Sequence, residues 1–82
     1  MSFVGALINH RGNRFGIIKV KPSAMRSSTT TSEMQSFGRR CWGHVPIVLA
    51  DTDGRIKGPT ATVRLLSSVT ESQIPWRNWT VQ

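Results

Sequence analysis

The sequence predicts one α+β domain over residues 1–82, a two-layer sandwich of two helices on a four-stranded, mainly antiparallel sheet. Three observations predict this fold class. Short runs rich in Ile, Val and Phe are separated by Gly-containing turns, a polar segment with helical spacing interrupts them, and a second helical pattern follows the last turn. The predicted order is β-β-α-β-β-α, and a small, mostly-β barrel is the alternative.

The first two strands are predicted at residues 3–9 and 15–21, because the segment between them has the composition of a turn. They should pair as a hairpin. Side chains alternate along a strand, so Ile18 would point to one face and Lys19 and Lys21 to the other. This alternation predicts a solvated, basic face.

A helix is predicted to begin at Thr30, because Glu33 stands three residues later, as in a capping box. An apolar stripe with spacing i, i+3 and i+7 then follows, formed by Met34, Phe37 and Cys41. Glycine has a low helix propensity, so the helix should be short or should break near Gly38.

Residues 45–50 are a nearly uninterrupted apolar run, which is typical of an interior strand that is buried on both faces. Pro46 cannot donate to a central ladder, so it should be the first residue of this strand or follow a cis bond. Residues 51–54 (D-T-D-G) are predicted to form a turn, and residues 55–57 a short antiparallel edge strand. Residues 60–69 fit a helix better than a strand, and an aromatic tail follows.

The charge of the chain points to an anionic partner. Eleven Lys or Arg stand against four Asp or Glu, and seven of these cations but only one of the acids lie in residues 1–50. Such a field attracts nucleic acid or an acidic protein. The candidate polyanion contacts are Arg11, Arg14, Lys19, Lys21, Arg39, Arg40 and Arg77, and the candidate stacking residues for unpaired bases are Trp76 and Trp79.

Residues 47–54, which read I-V-L-A-D-T-D-G, resemble the first motif of the haloacid-dehalogenase phosphatases. The resemblance implies that Asp51 attacks phosphorus and that Asp53 is the general acid and base. Members of that family have a doubly wound domain much longer than this chain, and no later pair of acids follows here to hold Mg²⁺. The turn interpretation is therefore favoured, and we predict no catalytic, cofactor-binding or metal site.

Residues 45–69 also resemble the second half of thioredoxin- and glutaredoxin-like domains. In those domains a Val-Pro with a cis bond opens a hairpin and a Gly precedes the last helix, which here would be Val45-Pro46 and Gly58. The resemblance implies the architecture of such a domain without its redox chemistry, because the sequence contains no C-x-x-C.

The single cysteine, Cys41, cannot form an internal disulfide, which fits a reducing compartment. Neighbouring cations favour a reactive thiolate, whereas the place of Cys41 on the apolar stripe favours a core residue. No apolar run approaches the ~18 residues of a transmembrane helix, and the first residues lack a signal-peptide pattern. We expect a cytoplasmic protein with no membrane partner.

These observations together predict a small, non-enzymatic binding module whose basic surface binds nucleic acid or an acidic protein partner. A structural or interaction protein that forms a homodimer through a sheet edge or the tryptophan tail is the alternative. A small hydrolase or thiol enzyme is the least favoured interpretation.

Overall fold

A computed structural model describes residues 2–81 and every side chain among them except that of Glu71. In chain order the elements are β1 (Ser2–His10), β2 (Asn13–Val20), α1 (Pro22–Met25), α2 (Ser28–Trp42), β3 (Ile47–Asp51), β4 (Ile56–Lys57), α3 (Thr60–Ser67), a 3-10 turn (Glu71–Gln73) and β5 (Arg77–Thr80).

The strands described within residues 2–81 form one open, five-stranded sheet in the order β4-β3-β2-β1-β5. The β2–β3 pair is parallel, and the other three pairs are antiparallel. The α+β class and the mainly antiparallel sheet are thereby confirmed. The sheet differs from the prediction by its fifth strand, β5, and its two open edges rule out the barrel alternative.

β1 and β2 form the predicted hairpin, with His10 opposite Asn13. The two residues between them, Arg11 and Gly12, both have positive φ, at 53° and 81°. Two positive φ angles in a two-residue loop give a type I′ turn, whose twist matches that of paired strands. The loop geometry therefore fixes the register of the hairpin.

Helix α2 begins earlier than the capping-box pattern predicted. Its N-cap is Ser27, whose backbone is extended and whose Oγ accepts a hydrogen bond from the Thr30 backbone N–H at 3.2 Å. Ser27 is therefore the N-cap residue, a role that the prediction assigned to Thr30. Glu33 lies exposed within the helix. The predicted stripe of Met34, Phe37 and Cys41 does pack on the sheet.

The predicted break at Gly38 is wrong, because α2 continues through it to Trp42. Gly38 is buried against the sheet, and a Cβ on it would lie 2.8 Å from Ile47 Cδ1 and 3.1 Å from Ile18 Cδ1. A glycine here lets the helix approach the strands closely, so packing outweighs the low helix propensity of the residue.

Trp42, at the end of α2, fills the space between the helix and the sheet. A Cβ on Gly16 would collide with the Trp42 ring, and a Cβ on Gly5 would lie 3.2 Å from the ring edge. The rings of Phe3 and Trp79 pack edge-on against it, with centroids 5.5 and 5.3 Å away. Two strand glycines therefore form the seat of this one large side chain.

The elements between Ile47 and Ser67 follow the predicted order. β3 is an interior strand in which Val48 and Leu49 are fully buried, and β4 is its short antiparallel partner at the sheet edge. The bond before Pro46 is trans, because residues 2–81 contain no cis peptide, and Pro46 immediately precedes the strand. The ambiguous segment after Pro59 is the helix α3.

Helices cover both faces of the sheet, whereas the prediction placed both on one face. On the face we call the α2 face, the core consists of Phe3, Ile18, Val20, Trp42, Ile47, Leu49 and Val81. On the opposite face, the α3 face, it consists of Ala6, Ile8, Phe15, Ile17, Val48, Leu66 and Ile74. The arrangement has three layers because the β2-to-β3 crossover puts α1 and α2 on one side of the sheet while α3 lies on the other.

Candidate polyanion-binding surface

The side chains of all seven predicted polyanion contacts are exposed. Where the structure describes both side chains, none of these cations forms an ion pair with a carboxylate. Their charge is therefore directed at solvent and at any anion that approaches from it.

The structure does not bring the seven cations into one patch. Arg11 and Arg14 lie at the hairpin turn, whereas Lys19 lies near the opposite end of β2 and Lys21 follows that strand as the N-cap of α1. The other three occupy the last turn of α2 and the start of β5, and they are Arg39, Arg40 and Arg77.

A row of paired residues crosses the α3 face at the level of Lys19. From one sheet edge to the other it consists of Ile56, Ala50, Lys19, Val4 and Asn78. None of them is buried, and Val4 and Ile56 are 38% and 46% exposed despite being large and apolar. The adjoining row of Val48, Ile17 and Ala6 is fully or almost fully buried. α3 therefore covers one row of the sheet and leaves the Lys19 row open.

A cleft of about 230 Å³ lies over the Lys19 row, and we call it the Lys19 cleft. Its apolar walls include Ile17, Ala50, Ile56, Leu66, Val69, Ile74 and Trp76. Two cations, Lys19 and Arg55, also line it. The Lys19 ammonium lies 5.3 Å from the centroid of the Trp76 ring, within the range of a cation–π contact.

Trp76 and Trp79, which the sequence grouped as one stacking surface, lie on opposite faces of the sheet. Trp76 packs with the α3-face core, and Trp79 packs with the α2-face core. The Arg77 guanidinium lies 4.5 Å from the Trp79 ring centroid, so Arg77 belongs to the α2 face. The tail therefore supplies two separate aromatic sites, each with its own cation.

The site on the α2 face, which we call the Trp79 patch, consists of Arg40, Cys41, Arg77 and Trp79. The indole Nε1 of Trp79 donates a 3.0 Å hydrogen bond to the Gly5 carbonyl, and Trp42 packs edge-on against its ring. With Arg77 on the ring as well, Trp79 is held mainly as a structural residue. Cys41 is half-buried here, with its Sγ 3.7 Å from the Thr80 carbonyl.

Asp51 is committed to the turn between β3 and β4. Its Oδ1 accepts hydrogen bonds from the backbone N–H groups of Asp53 and Arg55 at 2.9 and 2.8 Å, and Gly54 has φ of 86°. This is the predicted turn, closed by the aspartate side chain. Within the described residues no group of three or more His, Cys, Asp or Glu could hold a metal ion.

We expect Asp51→Ala to lower the free energy of unfolding by about 1–3 kcal/mol, because two backbone donors lose their acceptor. Asp51→Asn keeps the Oδ1 acceptor and should stay within about 1 kcal/mol of the parent protein. Urea unfolding followed by tryptophan fluorescence measures both. Equal stabilities of the Ala variant and the parent would contradict this role of the carboxylate.

The sequence interpretation missed Arg55 as a site residue and placed it only in the predicted edge strand of residues 55–57. The turn at residues 51–54 brings it beside the Lys19 row, since the Asp51 N–H donates to the Arg55 carbonyl at 3.0 Å. The sequence signal that was present is a D-x-D-G turn directly after an interior strand, because such a turn returns the next residue to the end of that strand.

No protein-family model, curated protein or solved structure matches this chain. Within residues 2–81, no helix is long and apolar enough to cross a bilayer. What the protein binds must therefore be inferred from its own charges and shape.

Proposed function

We propose that this protein is a small, non-enzymatic binding module that binds nucleic acid through its exposed cations. The observation that carries the proposal is the state of those cations: they are exposed, and none is paired with a carboxylate that the structure describes. With a net charge of +7, the protein attracts a polyphosphate chain by a term that does not depend on base sequence.

Nucleic acid is favoured over an acidic protein because one tryptophan of the tail lies beside a cation in the open Lys19 cleft. Lys19 contacts Trp76 there, whereas Trp79 is engaged by Arg77, Trp42 and the Gly5 carbonyl. Aromatic rings beside cations are the means by which proteins hold bases and phosphates at once. An acidic polypeptide offers only the charge. The cytoplasmic location and the homodimer alternative stay predictions.

Fluorescence anisotropy with a labelled 20-nucleotide single strand tests the proposal. Contacts with four phosphates give a slope of about −3 for the logarithm of affinity against the logarithm of salt concentration. We therefore expect the affinity to fall about 50-fold between 50 and 200 mM salt.

Polyglutamate of similar charge is the control ligand. Tighter binding of polyglutamate than of the oligonucleotide would favour the acidic-protein alternative. If no oligonucleotide binds at 50 mM salt, the proposed function is wrong, because several phosphate contacts should give tight binding there.

A further inference from the structure

The Lys19 cleft combines apolar walls with two cations in a space too small for a large ligand. Its volume of about 230 Å³ is below the roughly 300–1,000 Å³ of clefts that enclose drug-sized molecules. The walls are aliphatic and aromatic, with Trp76 among them and with Lys19 and Arg55 beside them. Such a lining suits one flat, apolar group that carries an anion.

The negative charge nearest to this cleft is already satisfied in part by the protein. Asp51 also lines the cleft; its Oδ1 accepts two backbone N–H groups of the turn, and its Oδ2 is buried with no hydrogen-bond partner among the described residues. The two cations have no such partner among the described carboxylates. With two cations against one carboxylate, the cleft has a net positive charge, which favours an anionic ligand.

We propose that the Lys19 cleft receives one unpaired base of a single-stranded nucleic acid, with Lys19 and Arg55 on the flanking phosphates. This inference rests on the proposed function and adds to it the strand state and the site. A base in a duplex is stacked and paired and cannot enter the cleft, whereas an unpaired base offers both its apolar faces and an adjacent phosphate. The exposed apolar side chains of Val4 and Ile56, at either side of Lys19 in the row, extend the contact surface for neighbouring bases.

The test compares two single strands of equal length and charge at 50 mM salt, one with all its bases and one with abasic sugars throughout. The strand with bases should bind about 5- to 150-fold more tightly, which is the fold-change that corresponds to one base–aromatic stacking contact. A duplex of the same length carries twice the phosphate charge, so its affinity is compared only between variants of the protein; filling the cleft should change that affinity less than about twofold, because the bases of a duplex are not accessible.

A variant that fills the cleft isolates the site. Ala50→Phe places a ring in the cleft without changing the charge, and should reduce the preference for the strand with bases to less than about twofold. Ala61→Phe is the matched control, since Ala61 is exposed on α3 and does not line the cleft. This control should keep the full preference.

The outcomes distinguish failure of the base site in the cleft from failure of nucleic-acid binding as a whole. Equal affinity of the parent protein for the abasic strand and the strand with bases would overturn the cleft as a base site and leave nucleic-acid binding standing. Loss of the preference in Ala61→Phe as well would also overturn it, because the effect would then not depend on the cleft. Absence of binding to all three ligands would overturn both.

Discussion

Replacing Trp42 by Ala should lower the free energy of unfolding by about 3–5 kcal/mol. A domain of this length has a total stability of about 4–12 kcal/mol, so the variant should lose a large share of its stability, and all of it at the lower end of this range. Trp42 is 7% exposed and fills the space above two strand glycines, which cannot close the cavity that its loss would leave. Thermal unfolding followed by far-UV circular dichroism measures the effect as a fall of tens of degrees in Tm.

Trp42→Phe is the control for this prediction. The indole Nε1 of Trp42 is buried and has no hydrogen-bond partner among the described residues, so Phe removes an unsatisfied donor while it keeps much of the ring. We expect Phe to cost clearly less stability than Ala. If the Ala variant unfolds within a few degrees of the parent, the central position of Trp42 in the α2-face core is wrong.

Local signals in the sequence were sufficient for most of the elements. The β1–β2 hairpin, the interior strand β3, its edge partner β4 and the helix α3 all follow from apolar runs and turn residues that act over a few positions. β5 was missed because it has only four residues and follows a proline closely, so its pairing with β1 is decided by distant residues.

The placement of the helices was missed although one observation already indicated it. Residues 45–50 were predicted to be buried on both faces, and a strand can be so only if something covers each face of the sheet. A two-layer sandwich does not supply that cover. The apolar pattern of this strand thus already indicated a third layer, which helix and strand propensities alone do not indicate.

Gly38 and Trp42 show why local preference fails at a close contact. A glycine within a helix costs about 1 kcal/mol of stability. The burial of a large side chain and the close packing of helix on sheet together stabilise the fold by several kcal/mol, which is more than this cost. The glycines that seat Trp42 come from strands far from it in the chain. Their role is visible only once the strands are paired.

For the candidate site, the sequence named several residues but not their neighbours. Lys19, Trp76 and Trp79 were predicted, yet the alternation of β5 and the segment before it put the two tryptophans on opposite faces. Lys19 contacts the Trp76 ring, although the sequence interpretation grouped it with Lys21 on one basic face. Arg55 lines the cleft because the turn at residues 51–54 places it there. Such encounters between distant segments depend on sheet register, which composition does not encode.

The second large effect is expected from reversing the charges at the Lys19 cleft. Lys19→Glu combined with Arg55→Glu should weaken binding of a single-stranded oligonucleotide far beyond the general loss of charge, because phosphate contacts at the cleft become repulsive. Both side chains are exposed, so the fold should tolerate the change, and circular dichroism checks that it does.

The matched control is Arg26→Glu combined with Lys57→Glu, which gives the same net charge from one arginine and one lysine. Both residues are exposed and neither lines the cleft, since Arg26 follows helix α1 and Lys57 pairs with Leu49. Any loss of affinity in this pair reports the overall field of the protein and not the cleft.

The ratio of these two affinities, measured by anisotropy at 50 mM salt, tests the central claim that nucleic acid is bound at the Lys19 cleft. The expected result is that the cleft pair binds at least ~10-fold more weakly than the control pair. Equal affinities of the two pairs would contradict the claim, since the protein would then attract nucleic acid by its net charge alone.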